Sequence, residues 1–222
     1  MKDQELSNFI VEQNILKILP APVKLKSGKE SHLYINWRAA TNDAFTLDMV
    51  TNKIVGFIAA NKLKVDSIYG VPEGATKAAV LAAFKHAKQS PEFALNTHII
   101  PMGRGKKKEH GLPEDSLFIG KPRGSTLVLE DTITTGGSIF QTIDELLRQN
   151  VDVRYALALT DREDLVDGQK TVAETIAARY EGRIQYFSLT RASDLIPLAL
   201  KKVPHDDKIL QKIRMEFPRF SS

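Results

Sequence analysis

The sequence predicts an α/β fold, a central mostly parallel sheet with helices on both faces and a small N-terminal hood. Two observations carry this expectation. From residue 46 onward short apolar runs alternate with longer amphipathic stretches, the rhythm of strand and helix in a parallel sheet covered on both sides. In addition, the apolar run TLVLE enters the turn TITTGG and then a further amphipathic stretch, the strand, loop and helix order of a ligand-binding carboxyl edge.

The elements follow in chain order. Residues 1–45 form the hood: MKDQELSNFIVEQNILKIL has helical apolar spacing, and LYINW is an extended run in which Leu33, Ile35 and Trp37 alternate with Tyr34 and Asn36. Residues 46–200 form the core. It begins with a helix through LDMVTNKIVGFIAANKL, a strand at DSIYGV, a helix at GATKAAVLAAFKHA and a strand around THIIPM. A polar, lysine-rich stretch follows to about residue 122, then the strand TLVLE, the helix GSIFQTIDELLRQN, the strand VRYALALT, the helix TVAETIAARY and the strand RIQYFSL. In the extension 201–222, Ile209, Leu210, Ile213 and Phe217 make one apolar helical face suited to packing. Without repeats or low-complexity segments, one globular domain is expected.

Bulk properties narrow the function. The 222 residues, 42% of them hydrophobic, suffice for one sizeable core. A net charge of +4 and a pI near 9.1 favour anionic ligands, and the excess is spread along the chain, which suits a phosphorylated small molecule better than nucleic acid. The absence of cysteine excludes disulfides, thiol nucleophiles and zinc-cysteine sites. Asp3 and Glu5 stand where a signal peptide would be apolar, and no apolar run approaches membrane-spanning length. A soluble, cytoplasmic protein without a membrane partner is expected.

TLVLEDTITTGGS, residues 126–138, holds the most chemistry. Glycines allow close backbone approach, hydroxyls donate hydrogen bonds, and a helix N-terminus offers unpaired N–H groups to a phosphate. Two carboxylates just upstream would repel that phosphate, so they better accept hydrogen bonds from vicinal sugar hydroxyls of the same ligand. A sugar phosphate satisfies both halves. The stretch matches neither GxxxxGK[ST] nor GxGxxG.

TLVLEDTITTGGS resembles the signature of the type I phosphoribosyltransferases, whose ligand is phosphoribosyl pyrophosphate. The resemblance implies that Glu130 and Asp131 hold the ribose hydroxyls, that Thr134, Thr135, Gly136, Gly137 and Ser138 hold the 5-phosphate, and that Thr132 and Ile133 between them also bind phosphoribosyl pyrophosphate. Thr132 stands where the family usually has an apolar residue.

Three further stretches bear on the acceptor and the leaving group. KLKSGKESHLYINWR, residues 24–38, is similar to the N-terminal stretch of orotate phosphoribosyltransferases, which implies Lys26 near pyrophosphate and orotate, and Tyr34 against the pyrimidine ring. RGKKKEHG, residues 104–111, resembles their catalytic loop, with Arg104, Lys108, Glu109, His110 and Gly111 on matching positions. Cations there would stabilise the charge gathering on departing pyrophosphate. Gly105 replaces a second lysine, for which Lys106 or Lys107 could substitute. TDRED, residues 160–164, is similar to a segment whose arginine binds the orotate carboxylate, which implies that role for Arg162 beside Thr134. Taken alone, DRED reads equally well as an internal salt bridge, and LVDGQ replaces the glycine pair that often follows it. YGVPEGATKAA, residues 69–79, occupies the pyrophosphate-loop position, with Glu73 where some orotate enzymes place lysine and Lys77 as a compensating charge.

The resemblance covers roughly residues 5–200. It implies phosphoribosyl transfer from Mg²⁺-phosphoribosyl pyrophosphate to N1 of orotate in pyrimidine biosynthesis, with inversion at C1 and Asp131, Arg104, Lys108 and His110 as catalytic groups. Mg²⁺ would be held mainly by the substrate and not by a protein metal site. A homodimer sharing the basic loop between protomers is expected, and no fused decarboxylase, since that would need a barrel of about 250 residues. Transfer to a purine or uracil is the alternative that keeps the signature but leaves Arg162 and the Lys26 stretch unexplained. A non-catalytic regulator binding the same sugar phosphate, with RNA or DNA as partner, would not need the Arg104, Lys108 and His110 loop.

Overall fold

The computed structural model describes residues 4–25, 28–105, 117–202 and 206–217. Its N-terminal part comprises α1 (Gln4–Glu12), the hairpin strands β1 (Leu16–Lys24) and β2 (Glu30–Ile35), and the short helix α2 (Trp37–Ala40). α3 (Ala44–Ala60), β3 (Ser67–Gly70), α4 (Thr76–Lys88) and the two-residue strands β4 (Met102–Gly103) and β5 (Phe118–Ile119) follow. The remainder alternates: β6 (Thr126–Ile133), α5 (Gly137–Arg148), β7 (Val153–Asp161), α6 (Val172–Arg179), β8 (Gln185–Arg191), α7 (Ala192–Lys202) and α8 (Asp207–Glu216).

The main sheet has the order β3-β6-β7-β8 and is parallel throughout. Successive side chains of a strand point to opposite faces, and β6 and β7 are apolar on both. Leu127, Leu129, Leu157 and Leu159 enter one core with α1, α3, α4, α7 and α8, while Val128, Ala156 and Ala158 enter the other with α5 and α6. The sheet is therefore covered on both sides, as the alternating pattern requires. Helix ends are set by local polar groups: Asp43 accepts from the Thr46 N–H at 2.8 Å to start α3, and Thr171 with Glu174 closes a capping box on α6.

The N-terminal part differs from its sequence pattern. Helical spacing through residue 19 is honoured only to Glu12; Leu16 onward pairs antiparallel with β2, Leu16 opposite Ile35 and Lys24 opposite Glu30. A hairpin partner offers backbone hydrogen bonds that Pro20 and Pro22 deny a helix. The extended run LYINW stops at Ile35, and Asn36 caps α2 by accepting from the Ala39 N–H at 3.1 Å, so Trp37 is helical and fully buried. THIIPM is not a core strand: only Met102 and Gly103 pair, with Ile119 and Phe118.

Candidate active site

The carboxyl end of β6 delivers Glu130 and Asp131 to a cavity of about 300 Å³ whose wall also includes Tyr34, Arg38, Thr132, Thr134, Ser138 and Arg162. Both acids are buried as residues, yet they border this space. Against it lies a second hollow of about 140 Å³, formed by the loop from Thr132 to Ser138 and by Glu130. Acid pair and phosphate-sized loop are thus adjoining halves of one depression, the arrangement the contiguous sequence required.

Backbone geometry makes the loop. Gly136 sits at φ +77° at the start of α5, and a Cβ there would meet the Phe140 ring at 2.8 Å, so a side chain would be both strained and obstructed. The first turn of α5 then turns its N–H groups toward the loop. The Thr132 hydroxyl is buried with no hydrogen-bond partner among the described residues.

The pyrophosphate-loop stretch is held against the acids. A Cβ on Gly74 would fall 2.6 Å from the Asp131 carboxyl carbon, so only glycine permits this approach. Arg38, from α2, places Nε 3.5 Å from Asp131 Oδ2. The two departures from the family pattern also meet: Glu73 Oε1 lies 2.8 Å from where a Cβ on Gly105 would stand. Lys77 does not compensate Glu73 in this arrangement; its ammonium donates to Asn42 Oδ1 at 2.5 Å.

The ends of the basic stretch are close together. β4 and β5 pair, and the Arg104 N–H donates to the Leu117 carbonyl at 3.0 Å. This base adjoins the pyrophosphate loop, because Gly103 lies against Pro72 and Tyr69. Lys26, Lys108, Glu109, His110 and Gly111 lie outside the described residues.

Arg162 follows β7 at the cavity wall and is 2% exposed. Its Nε donates to Asp164 Oδ2 at 3.1 Å, Nη1 to the Leu33 carbonyl at 2.6 Å, and Nη2 to Ser31 Oγ at 3.1 Å and Glu216 Oε1 at 2.9 Å. The salt bridge within DRED therefore exists, and the same guanidinium borders the cavity with Tyr34 and Thr134. Beside it, burial pushes the Asp161 carboxyl up from its ordinary value against hydrogen bonds from the Glu163 N–H and the Tyr186 hydroxyl.

Arg38 and Ser31 are residues of this site that sequence reasoning missed. Arg38 was within reach, since it follows Tyr34 by four residues in a stretch already assigned to the site. Gly74 lies within the backbone around Glu73 to Ala75 that the loop resemblance assigns to pyrophosphate, whereas Ser31 has no local signal, because its importance lies in a contact with Arg162.

A parallel β3-β6-β7-β8 sheet with helices on both faces, an acid pair at a strand end and a glycine-containing loop ahead of a helix make the type I phosphoribosyltransferase fold. No family model matches the chain. It is 27% identical to the orotate phosphoribosyltransferase of Thermococcus kodakarensis over 93% of this chain and 98% of that protein. Its structure is similar to that of Francisella tularensis orotate phosphoribosyltransferase, with a TM-score of 0.69, 15% identity and coverage of 100% and 98% of the two chains. It is also similar to the Mycobacterium tuberculosis orotate phosphoribosyltransferase in complex with phosphoribosyl pyrophosphate, with a TM-score of 0.57, 22% identity and coverage of 86% and 96%. Over nearly its whole length the chain is similar in sequence and in fold to orotate phosphoribosyltransferases.

Proposed function

We propose that the protein transfers the phosphoribosyl group of phosphoribosyl pyrophosphate to N1 of orotate, giving orotidine 5-monophosphate and pyrophosphate on the way to UMP. The observation that carries this is the single depression in which Glu130 and Asp131 adjoin the Thr134–Ser138 loop, with Tyr34 and Arg162 on the same wall. The acids accept hydrogen bonds from the ribose 2- and 3-hydroxyls, and the loop N–H groups and hydroxyls hold the 5-phosphate. Tyr34 covers the pyrimidine face and Arg162 meets the acceptor carboxylate.

As the C1–O bond breaks, its electron pair leaves with pyrophosphate; the N1 lone pair forms the new bond on the opposite face, and N1 loses its proton. C1 passes through an oxocarbenium-like state, so fixing the ribose beside Asp131 does more than a covalent nucleophile could. Arg104, Lys108 and His110 close positive charge over the leaving group, and Lys26 contacts pyrophosphate and acceptor. Mg²⁺ would be carried mainly by the substrate's own oxygens, with Glu130 and Asp131 as the hard oxygen donors bordering the cavity, and would supply positive charge to the pyrophosphate. Among the described residues no group of three or more His, Asp or Glu side chains could hold a metal ion. A homodimer that shares the basic loop completes the proposal. No described helix is long and apolar enough to cross a membrane.

The test is to mix purified protein with orotate, phosphoribosyl pyrophosphate and Mg²⁺ and follow the ultraviolet absorbance of orotate, with uracil, adenine and hypoxanthine in parallel. Loss of orotate alone, requiring every component, is the expected result. Turnover with another base in place of orotate overturns the acceptor assignment, and silence with all four overturns the catalytic reading.

A further inference from the structure

The C-terminal extension reaches the acceptor side of the cavity. α8 packs on β2, with Ile213 and Phe217 buried in the larger core. This seats Glu216 on Arg162, 54 residues away in sequence, and brings the Phe217 ring 5.4 Å from the guanidinium carbon.

An arginine offers five N–H donors. In Arg162 one is taken by Asp164, one by the Leu33 carbonyl and two by Ser31 and Glu216. Among the described residues one N–H remains, on Nη1. Three separate parts of the chain thus set the plane of this guanidinium: β2, the turn after β7, and α8. A long side chain that could adopt many rotamers is held in one, at the wall where Tyr34 and Thr134 also stand.

We propose that Glu216 is a positioning residue for the acceptor, fixing Arg162 so that its remaining N–H meets the carboxylate of a planar carboxylated heterocycle. The proposal rests on the reading of Arg162 given above. It gives the C-terminal helix a role in acceptor specificity beyond packing. The opposite role is physically distinct: a carboxylate already on the guanidinium could instead compete with the acceptor's, and then its removal would tighten acceptor binding.

The experiment compares full-length wild type, Glu216→Ala and Glu216→Gln by steady-state kinetics in both substrates, with thermal midpoints as the folding control. Glu216→Ala is expected to raise KM for orotate about tenfold and to leave KM for phosphoribosyl pyrophosphate within about twofold, the scale expected when a contact group is misplaced by a fraction of an ångström. Glu216→Gln keeps an oxygen that accepts from Nη2 and is expected to recover most of that loss. A lower or unchanged orotate KM in Glu216→Ala overturns the proposal, as do equal rises for both substrates or a glutamine variant no better than alanine. If the alanine variant does not fold, Glu216→Asp, with its carboxylate withdrawn by one methylene, must fall below Glu216→Gln in kcat/KM for orotate only. Arg162→Lys separates the two claims: an unchanged orotate KM there defeats the reading of Arg162 itself. A raised KM there with Glu216→Ala unaffected defeats only the positioning role.

Discussion

Trp37 donates its indole N–H to Thr160 Oγ1 at 2.9 Å, tying α2 to the carboxyl end of β7 across 123 residues of sequence. Thr160 in turn shares a hydrogen bond with Thr190 at 2.9 Å, so the N-terminal part is anchored to the neighbouring strands β7 and β8 near their carboxyl ends. Trp37→Phe keeps an aromatic ring but loses the donor and leaves space in the core. It is expected to cost about 2 kcal/mol from the lost hydrogen bond and the void, measured by urea unfolding followed by circular dichroism. A loss below about 0.5 kcal/mol would show that the anchor is unimportant.

Asp131 borders the cavity between the Gly74 backbone and Arg38. Asp131→Asn keeps the shape and removes the charge that accepts ribose hydroxyls. kcat/KM for phosphoribosyl pyrophosphate is expected to fall about 100-fold, the equivalent of one charge-assisted hydrogen bond. Unchanged kinetics would remove Asp131 from the sugar site.

Gly136→Ala tests the loop. At φ +77° and with the Phe140 ring 2.8 Å from the new Cβ, the substitution is expected to cost about 1–3 kcal/mol of stability. KM for phosphoribosyl pyrophosphate should rise with it. Calorimetry and kinetics on one preparation decide this, and a neutral alanine would mean that the loop needs no left-handed residue.

If Lys108 acts on the leaving pyrophosphate as proposed, Lys108→Ala is expected to lower kcat by about 10²–10³ while weakening orotate binding much less. Equal losses in turnover and in orotate affinity, measured by titration calorimetry, would assign the lysine to ground-state binding instead.

Burial, with the Glu145 carboxylate adding to it, pushes the Tyr69 phenol up to about 12. The folded state therefore prefers the neutral phenol. Its contribution is full below the ordinary tyrosine value of about 10 and is lost as pH rises through about 12. Tyr69→Phe should flatten the decline in stability across that window by about 1–2 kcal/mol, after allowance for partial solvation. Urea midpoints at pH 9 and at pH 11 would reveal it, and parallel slopes for the two proteins would contradict it.

Much of the site was legible because its chemistry is contiguous. From Glu130 to Ser138 the acid pair and the hydroxyl- and glycine-rich loop follow one another along a strand, a turn and a helix start. Local geometry then places them with no help from distant parts of the chain. The weak points were those where partners decide. THIIPM has the composition of a strand, but only Met102 and Gly103 find a pairing neighbour. Residues 16–19 fit a helix until the hairpin partner β2 claims them. Arg162 could be singled out from TDRED, yet nothing within TDRED discloses Ser31, the Leu33 carbonyl or Glu216.

By itself the sequence determined the α/β alternation, the parallel sheet and the contiguous acid pair and glycine loop at the edge of β6, since periodicity and turn chemistry act over a few residues. Only the tertiary structure decided that Gly74 presses on Asp131, that Glu73 meets Gly105, and that Glu216 of the C-terminal helix holds Arg162 at the cavity wall. Those relationships join segments far apart along the chain. They arise when both faces of the sheet are buried together, and no local pattern encodes which distant side chain will then lie alongside.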